Sequence, residues 1–533
     1  MSARPAKAAL FEQLAADGIT HMFGNPGTVE QGFLDLVDHS DTQYVLALHE
    51  AVAVGMADGY ARAAQAPAVV QLHSGVGLGN GIGMLYQAKR GGSPLVTLVG
   101  EAGVKYSAMD AQMAADLVAM AEPVTKYATR VLDPSSVLRE VRRAVKIAMT
   151  PPRGPVMVVL PADVLDEVTS EPAVATSVPS FRSVPQPADV ARAAELLQGA
   201  ERPLILMGDG VATSGAQQEL TAVAERLGAM VWGVNSSEVN FDVTHPLYGG
   251  GLGHMFGADS ARVVEDADAV LIVGTYVFPE VFPRLGSPFR EGARIVHVDA
   301  DAYEIAKNFP VDLGLVADPK LTLGALAGEL ERRGAPARAV HRGERLPVEP
   351  DSPMGHFARA LAEQADPERL VVFDEALTAS GPLTAQLPPR VPGSYFQTRG
   401  GSLGVGIPGA LGIKLARPEA QVVGFTGDGG SMYTVQALWT AARYGIDAKF
   451  VICNNRRYRL LDHNIEQYWS EQGVPGHAYP DSFDLTRPEI GFAQLARSLG
   501  VESLRVEEPE QAKEAVRRML AHDGPFLVDL VTE

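Results

Sequence analysis

One pattern limits what this chain can fold into more than any other. Short apolar, β-branched runs alternate with longer stretches of helical periodicity from end to end. The runs are THMFG, QYVLAL, PAVVQLH, PLVTLVG, PVMVVLP, PLILMG, AMVWGV, AVLIVG, RIVHVD, LVVFDE, QVVGFTGDG, KFVICNN and PFLVDLVTE. Each spans a few residues, and most finish at or beside Gly, Asp, Asn, Pro or His. Parallel strands covered by helices on both faces read this way, and their carboxyl ends are where functional groups collect. The expected fold class is α/β.

At 533 residues and roughly 150 residues per domain, about three domains are expected. Two aperiodic stretches, residues 171–190 and 333–353, are rich in Pro with Ser or Arg and read as linkers. They divide the chain into blocks 1–175, 185–335 and 350–533, each expected to hold a doubly wound parallel sheet. With 46% hydrophobic and 20% charged residues the composition is ordinary for a globular protein, which excludes disorder as the main state. A net charge of −19 would repel nucleic acid or an anionic membrane, so neither is an expected partner. Cys453 is the single cysteine, which allows no intramolecular disulfide and no CxxC zinc motif. No apolar run approaches the ~20 residues of a membrane span, and the N-terminal stretch reads as an acid-containing helix, not a leader. A reducing, cytoplasmic setting is expected.

The most informative segment is GDGGSMYTVQALWTAARYGIDAKFVICNN, residues 427–455. A strand ends at Gly427-Asp428-Gly429, a helix follows, and the next strand ends at Asn454-Asn455. Parallel neighbours in a βαβ unit set their carboxyl ends side by side, so Asp428 and Asn455 should converge. A carboxylate, an amide oxygen and a backbone carbonyl are hard ligands. Two diphosphate oxygens and a water would complete the octahedron of Mg²⁺. Gly427, Gly429 and Gly430 permit close backbone approach, and the helix after them would turn its amino end toward phosphate. Either turn alone is ordinary; the pairing at this spacing points to a metal–diphosphate site. Rival cofactor motifs fare worse. GVGIPG at 404–409 satisfies GxGxxG but contains Pro408 and lacks a good leading strand; HEAVA at 49–53 is not HExxH; no GKS or GKT occurs.

With FGNPGT (23–28), HEAVAVGMADGYARA (49–63), LHSGVGLGN (72–80), PVTKYA (123–128) and GGSLGVGIPGALG (400–412), this segment resembles the thiamine-diphosphate-dependent enzymes of the 2-oxo-acid decarboxylase and acetolactate synthase group. The similarity is greatest to the benzoylformate decarboxylase branch and covers nearly the whole chain. It implies pyrimidine-binding, central and diphosphate-binding domains in that order. It also implies thiamine diphosphate and Mg²⁺ as cofactors, and a site shared between subunits, so that a homodimer is the minimum and a homotetramer is expected.

By this resemblance Glu50 reaches the cofactor's pyrimidine ring, where a carboxyl that shares a proton is needed to activate it. Leu403 wedges the cofactor into its bent shape, and the Gly401 carbonyl holds its amino group. Gly427, Gly429, Gly430, Ser431 and Tyr458 line the diphosphate, and Asp428, Asn455 and the backbone oxygen of Arg457 hold the metal. Thr28 and His73 stand at substrate-handling positions, Thr28 where the branch has a serine that contacts the substrate carboxylate, and His73 for proton transfer.

There are departures from the branch. No His lies in TYVFPEVFPR, residues 275–284, where a second active-site histidine is expected. The twin histidines of pyruvate decarboxylase are absent from YSAMDAQMAA, 106–115, and Gln112 instead matches a glutamine of acetolactate synthase-like members. Arg456, Arg457 and Arg459 follow Asn455, either to recognise an acidic substrate or to cap the next helix. GDGVATSG (208–215) and GGGLGHMFG (249–257) match only partly the flavin-binding pattern of acetolactate synthases. The expected function is decarboxylation of a 2-oxo acid to CO₂ and an aldehyde, with an acetolactate synthase-like carboligase as the alternative.

Overall fold

The computed structural model describes residues 3–253, 255–335 and 349–532; residues 336–348 of the expected second linker lie outside them, as do the termini of the first and last expected blocks and His254. Two compact units are present. One gathers the described residues up to Pro179 with Glu349–Leu387 and those from Thr398 onward; the other runs from Ser180 and includes Pro388–Gln397.

The first unit opens with strands β1 (His21–Gly24), β2 (Gln43–Leu46), β3 (Ala68–His73), β4 (Leu95–Glu101), β5 (Tyr127–Arg130) and β6 (Val156–Pro161). They form one parallel sheet in the order β2-β1-β3-β4-β6-β5. Val69, Val96, Leu98, Val156 and Val158 are fully or almost fully buried against the helices of one face. In the second unit β7 (Pro203–Met207), β8 (Met230–Val234), β9 (Tyr248–Leu252), β10 (Ala269–Val273), β11 (Arg294–Asp299) and β12 (Leu313–Val316) run parallel in the order β9-β8-β7-β10-β11-β12. The last sheet, back in the first unit, orders β13 (Leu370–Glu375), β14 (Gln421–Gly427), β15 (Ala448–Asn454), β16 (Glu502–Val506) and β17 (Phe526–Val531) as β13-β14-β15-β17-β16. The chain therefore carries three parallel-sheet α/β domains.

Both sheets of the first unit meet through two helices, α1 (Glu50–Ala64) and α3 (Gly406–Ala416). A Cβ at Gly59 would fall on the Gly409 carbonyl, and one at Gly412 on the Met56 carbonyl. The GxGxxG match at 404–409 thus serves a helix crossing at backbone contact and not a phosphate.

The expected linker 171–190 is irregular only as far as Gln186, and a helix begins at Pro187. Its start is tied down: the Gln13 amide donates to the Val174 carbonyl at 2.7 Å, and the Thr176 N–H donates to Asp17 at 2.6 Å. The glycine-rich runs of the second unit have packing reasons. Trp232 lies across Gly249 and Gly250, and Gly208 and Gly210 pack against Gly274 and Thr275. Asp209, between the latter pair, accepts from the Ser237 and Glu238 backbone and from the Asn240 amide. Among the described residues no helix is long and apolar enough to cross a membrane.

Candidate active site

Strands β14 and β15 are parallel neighbours with Gly427 opposite Cys453, which brings the residues just beyond their carboxyl ends together. The Arg457 N–H donates to Asp428 Oδ2 at 3.2 Å and to Asn455 Oδ1 at 3.0 Å, so both side-chain oxygens converge on one backbone amide. Asp428 is buried, and burial pushes its carboxyl up to about 6 against the pull of the Gly429, Arg456 and Arg457 amides. Tyr458 lays its ring against Gly429, while nothing crowds Gly427. Gly430 and Ser431 are buried, and the Ser431 hydroxyl donates to the Asp428 carbonyl at 2.7 Å, closing the turn.

The single helix expected after this turn is divided into Asp428–Ser431 and Ala437–Tyr444. Two glycines weaken the first turn, and Thr434 is drawn sideways by donating its hydroxyl to the Gly404 carbonyl at 2.5 Å. Gly404 closes the loop that carries half-buried Leu403 and exposed Gly401. One carboxylate organises both loops. Glu375, buried at the end of β13, accepts from Gly404 N at 2.5 Å, Val405 N at 3.3 Å, Gly406 N at 2.7 Å and the Thr426 hydroxyl at 3.0 Å. It thereby fills the amino end of α3, where no side chain of the helix itself does so. Burial raises its carboxyl to about 7, opposed by those four donors.

Among the described residues no three His, Cys, Asp or Glu cluster into a metal site. The donors at Asp428 and Asn455 fit a hard, oxygen-preferring cation that takes its remaining ligands from a diphosphate and water. Arg456, Arg457 and Arg459 are engaged elsewhere: Arg457 makes two bonds to Asp462 at 2.7 and 3.0 Å, Arg459 lies 3.6 Å from it, and Arg456 pairs with Glu489 at 3.3 Å.

A second constellation lies at the carboxyl ends of β1 and β3, also adjacent strands. Glu50, 4% exposed, is the first residue of α1, and both its oxygens are held: Asn25 donates to Oε1 at 3.2 Å and Asn80 to Oε2 at 3.0 Å. Helix α2 (Ser74–Gly91) supplies Asn80 and also Gly77, which sits between Glu50 Oε1 and the His73 Cβ. His73 ends β3, and its ring covers Gly27 so closely that any Cβ there would strike it. Thr28, the next residue, is exposed. His73 Nδ1 meets Glu30 Oε2 at 2.9 Å, and Glu30 is fully buried.

Glu30, Asn25, Asn80 and Glu375 are the functional candidates that sequence reasoning passes over. Asn25 and Asn80 stand inside quoted motifs; Glu30 and Glu375 gain meaning only from strand adjacency. Gln112 is exposed.

Three domain models of thiamine pyrophosphate enzymes match the chain: the N-terminal binding domain over residues 4–120, the central domain over 190–326 and the C-terminal binding domain over 380–530. The chain is 33% identical to a benzoylformate decarboxylase of Pseudomonas aeruginosa, covering 98% of each sequence. It is 27% identical to an acetolactate synthase of Arthrospira platensis, over 98% of this chain and 93% of that protein. The structure superposes on a thiamine diphosphate-dependent 4-hydroxybenzoylformate decarboxylase of Rhodococcus jostii RHA1 with a TM-score of 0.88, 30% identity and 99% of both chains covered. On this site and these matches, the chain belongs to the thiamine pyrophosphate enzyme family, as a decarboxylase or carboligase of 2-oxo acids.

Proposed function

We propose that this protein decarboxylates an aromatic 2-oxo acid of the benzoylformate type, releasing CO₂ and an aldehyde, with Mg²⁺ fixing thiamine diphosphate. The observation that carries the reading is the convergence of Asp428 and Asn455 on one amide at the ends of adjacent strands, the donor set a metal-bridged diphosphate requires. The bound cofactor supplies an electron sink for the carbon that loses CO₂.

The chain's own residues do the rest. Asp428, Asn455 and the Arg457 carbonyl hold the metal; Gly427, Gly429, Gly430, Ser431 and Tyr458 surround the diphosphate. Leu403 would wedge the bound cofactor into its bent shape, the Gly401 carbonyl would hold its amino group, and Glu50, oriented by two asparagines, would share a proton with its pyrimidine ring. Thr28 binds the substrate carboxylate through its hydroxyl. His73 moves a proton at Nε2, since Nδ1 is committed to Glu30. With Arg456, Arg457 and Arg459 engaged by carboxylates, recognition of a second acidic group on the substrate is not part of the reading. Exposed apolar side chains stand beside both halves of the site in the chain, Leu48 and Val76 next to Glu50 and His73, and Met432 and Tyr433 just after Ser431. They suit burial against a second copy, which would complete the site.

The test strips the protein with EDTA, restores thiamine diphosphate with or without Mg²⁺, and offers a panel of 2-oxo acids. Release of CO₂ with benzaldehyde-type products, restored only by both additions, is expected. Acyloin as the main product establishes the carboligase alternative, and turnover indifferent to both additions overturns the reading.

A further inference from the structure

Arg456 has a left-handed backbone, with φ of 59°, and stands between Asn455 and Arg457, two of the residues proposed to hold the metal. A side chain with a Cβ is strained in that region, which glycine enters freely. The turn depends on it all the same. The φ of Arg456 sets where the Arg457 peptide points relative to Asn455, and the Arg457 N–H is the group on which Asp428 and Asn455 converge. An arginine strained at that point has to be held there by its surroundings.

A closed ring of polar contacts does so. The Arg456 guanidinium lies 3.3 Å from Glu489 Oε1, and the same oxygen accepts from Arg505 Nη2 at 2.6 Å. Arg505 Nη1 reaches Asp529 Oδ2 at 3.4 Å, and Asp529 Oδ1 accepts from the Asn454 amide at 2.9 Å. Asn454 closes the ring, since its Oδ1 accepts from the Arg456 N–H at 3.3 Å. Arg456 is thus gripped by its backbone and by its guanidinium. Asn454 and Asp529 are buried on β15 and β17, whereas the Glu489 side chain is 39% exposed. The segment before Glu489 steadies the same turn: Leu485 N donates to the Arg456 carbonyl and Tyr458 N to the Phe483 carbonyl, each at 2.9 Å. The bond from Arg505 draws the Glu489 carboxyl below its usual range, opposed by partial burial and helped by the Arg456 charge. Glu489 is therefore an anion shared by two guanidiniums.

Resting on the metal site proposed above, we propose that Glu489 is a positioning residue for Mg²⁺: through Arg456 it keeps the turn after Asn455 in its left-handed form. Without that grip Arg456 relaxes toward the ordinary right-handed or extended regions, and the Arg457 peptide turns away from Asp428 and Asn455. Metal affinity then falls with the fraction of turns still in the ligating form. Neutralising Glu489 also leaves Arg456 and Arg505 facing each other with no anion between them. The pair is partly exposed, so the effect is moderate. It falls on metal affinity and not on the chemistry of the filled site.

The experiment titrates Mg²⁺ into protein supplied with excess thiamine diphosphate and follows cofactor uptake by calorimetry. Glu489→Gln is expected to raise the half-saturating Mg²⁺ concentration roughly 2–5-fold, with kcat unchanged once metal and cofactor are saturating. Arg456→Ala keeps the strained backbone but loses the grip, so it should shift the same way. Arg456→Gly adopts the left-handed form unaided and should bind Mg²⁺ more tightly than Arg456→Ala. In that glycine background Glu489→Gln should change nothing. Circular dichroism checks the folding of each variant, and the Ala–Gly contrast carries the test if Glu489→Gln is not folded. Unchanged metal affinity in Glu489→Gln, an equal loss in the glycine background, or equal binding by Arg456→Ala and Arg456→Gly overturns the proposal. A wild-type protein that takes up thiamine diphosphate equally with and without Mg²⁺ would instead sink the metal site beneath it.

Discussion

His297 shows how a single buried ring can set a pH limit. It is 2% exposed on β11, its Nε2 donates to the Thr275 carbonyl at 2.9 Å, and its Nδ1 accepts from Ala306 N at 3.3 Å. Both nitrogens are committed to the neutral form, and burial lowers its pKa from 6.5 to about 4. The unfolded chain therefore binds the extra proton first. The ring's contribution is complete above pH 6.5 and is lost as pH falls toward 4, to a total of ~3 kcal/mol. Asp299, two residues on, is raised by burial to about 7 and acts in the opposite sense. Comparing wild type with His297→Gln cancels that term. The variant should be less stable at pH 7, and its denaturation midpoint should fall less steeply between pH 6.5 and 4. Parallel curves would show that the ring does not titrate as its surroundings require. At this scale sequence legibility was uneven. Asp428 and Asn455 could be paired from spacing alone, because a βαβ unit fixes where strand ends lie. Glu30 could not be paired with His73, 43 positions further on, because nothing in the intervening sequence signals that β1 and β3 are neighbours.

Elements were legible where burial was complete. Every apolar run became a strand, whereas β5, β9, β12 and β16 gave no such run, and each lies at the edge of its sheet. An edge strand has solvent on one side and needs no continuous apolar sequence; β9 is Tyr-Gly-Gly-Gly-Leu, with Trp232 supplying the cover. The signature GIPGALG carried a different message from the one its glycines suggest, since it lets α3 touch α1 backbone to backbone. Gly412→Ala would place a methyl on the Met56 carbonyl, with no flexible side chain to give way. Separating the helices should cost about 1–3 kcal/mol. Because α1 begins at Glu50 and α3 begins where Glu375 holds the Leu403 loop, the shift should reach both halves of the site. The expected outcome is a lower thermal midpoint together with weaker thiamine diphosphate binding by titration calorimetry. A lower midpoint with unchanged affinity would confine the crossing to a structural role.

For the whole molecule the question is where the two halves of the site meet. Glu50 with His73 and Asp428 with Asn455 belong to different sheets of one unit, each bordered by exposed apolar side chains that a second copy can bury. If the first domain of one copy faces the third of another, Glu50→Gln and Asp428→Asn damage different partners of each shared site. Each variant alone should lose nearly all activity. When the two are co-expressed, a mixed dimer places both substitutions in one site and leaves its other site intact. With random pairing, half the dimers are mixed, so activity should return to about a quarter of wild type. Differently tagged variants purified in tandem isolate the mixed species, for which about half of wild-type activity is expected. If each chain built its own site, every site in the mixture would carry one lesion, and co-expression would restore nothing.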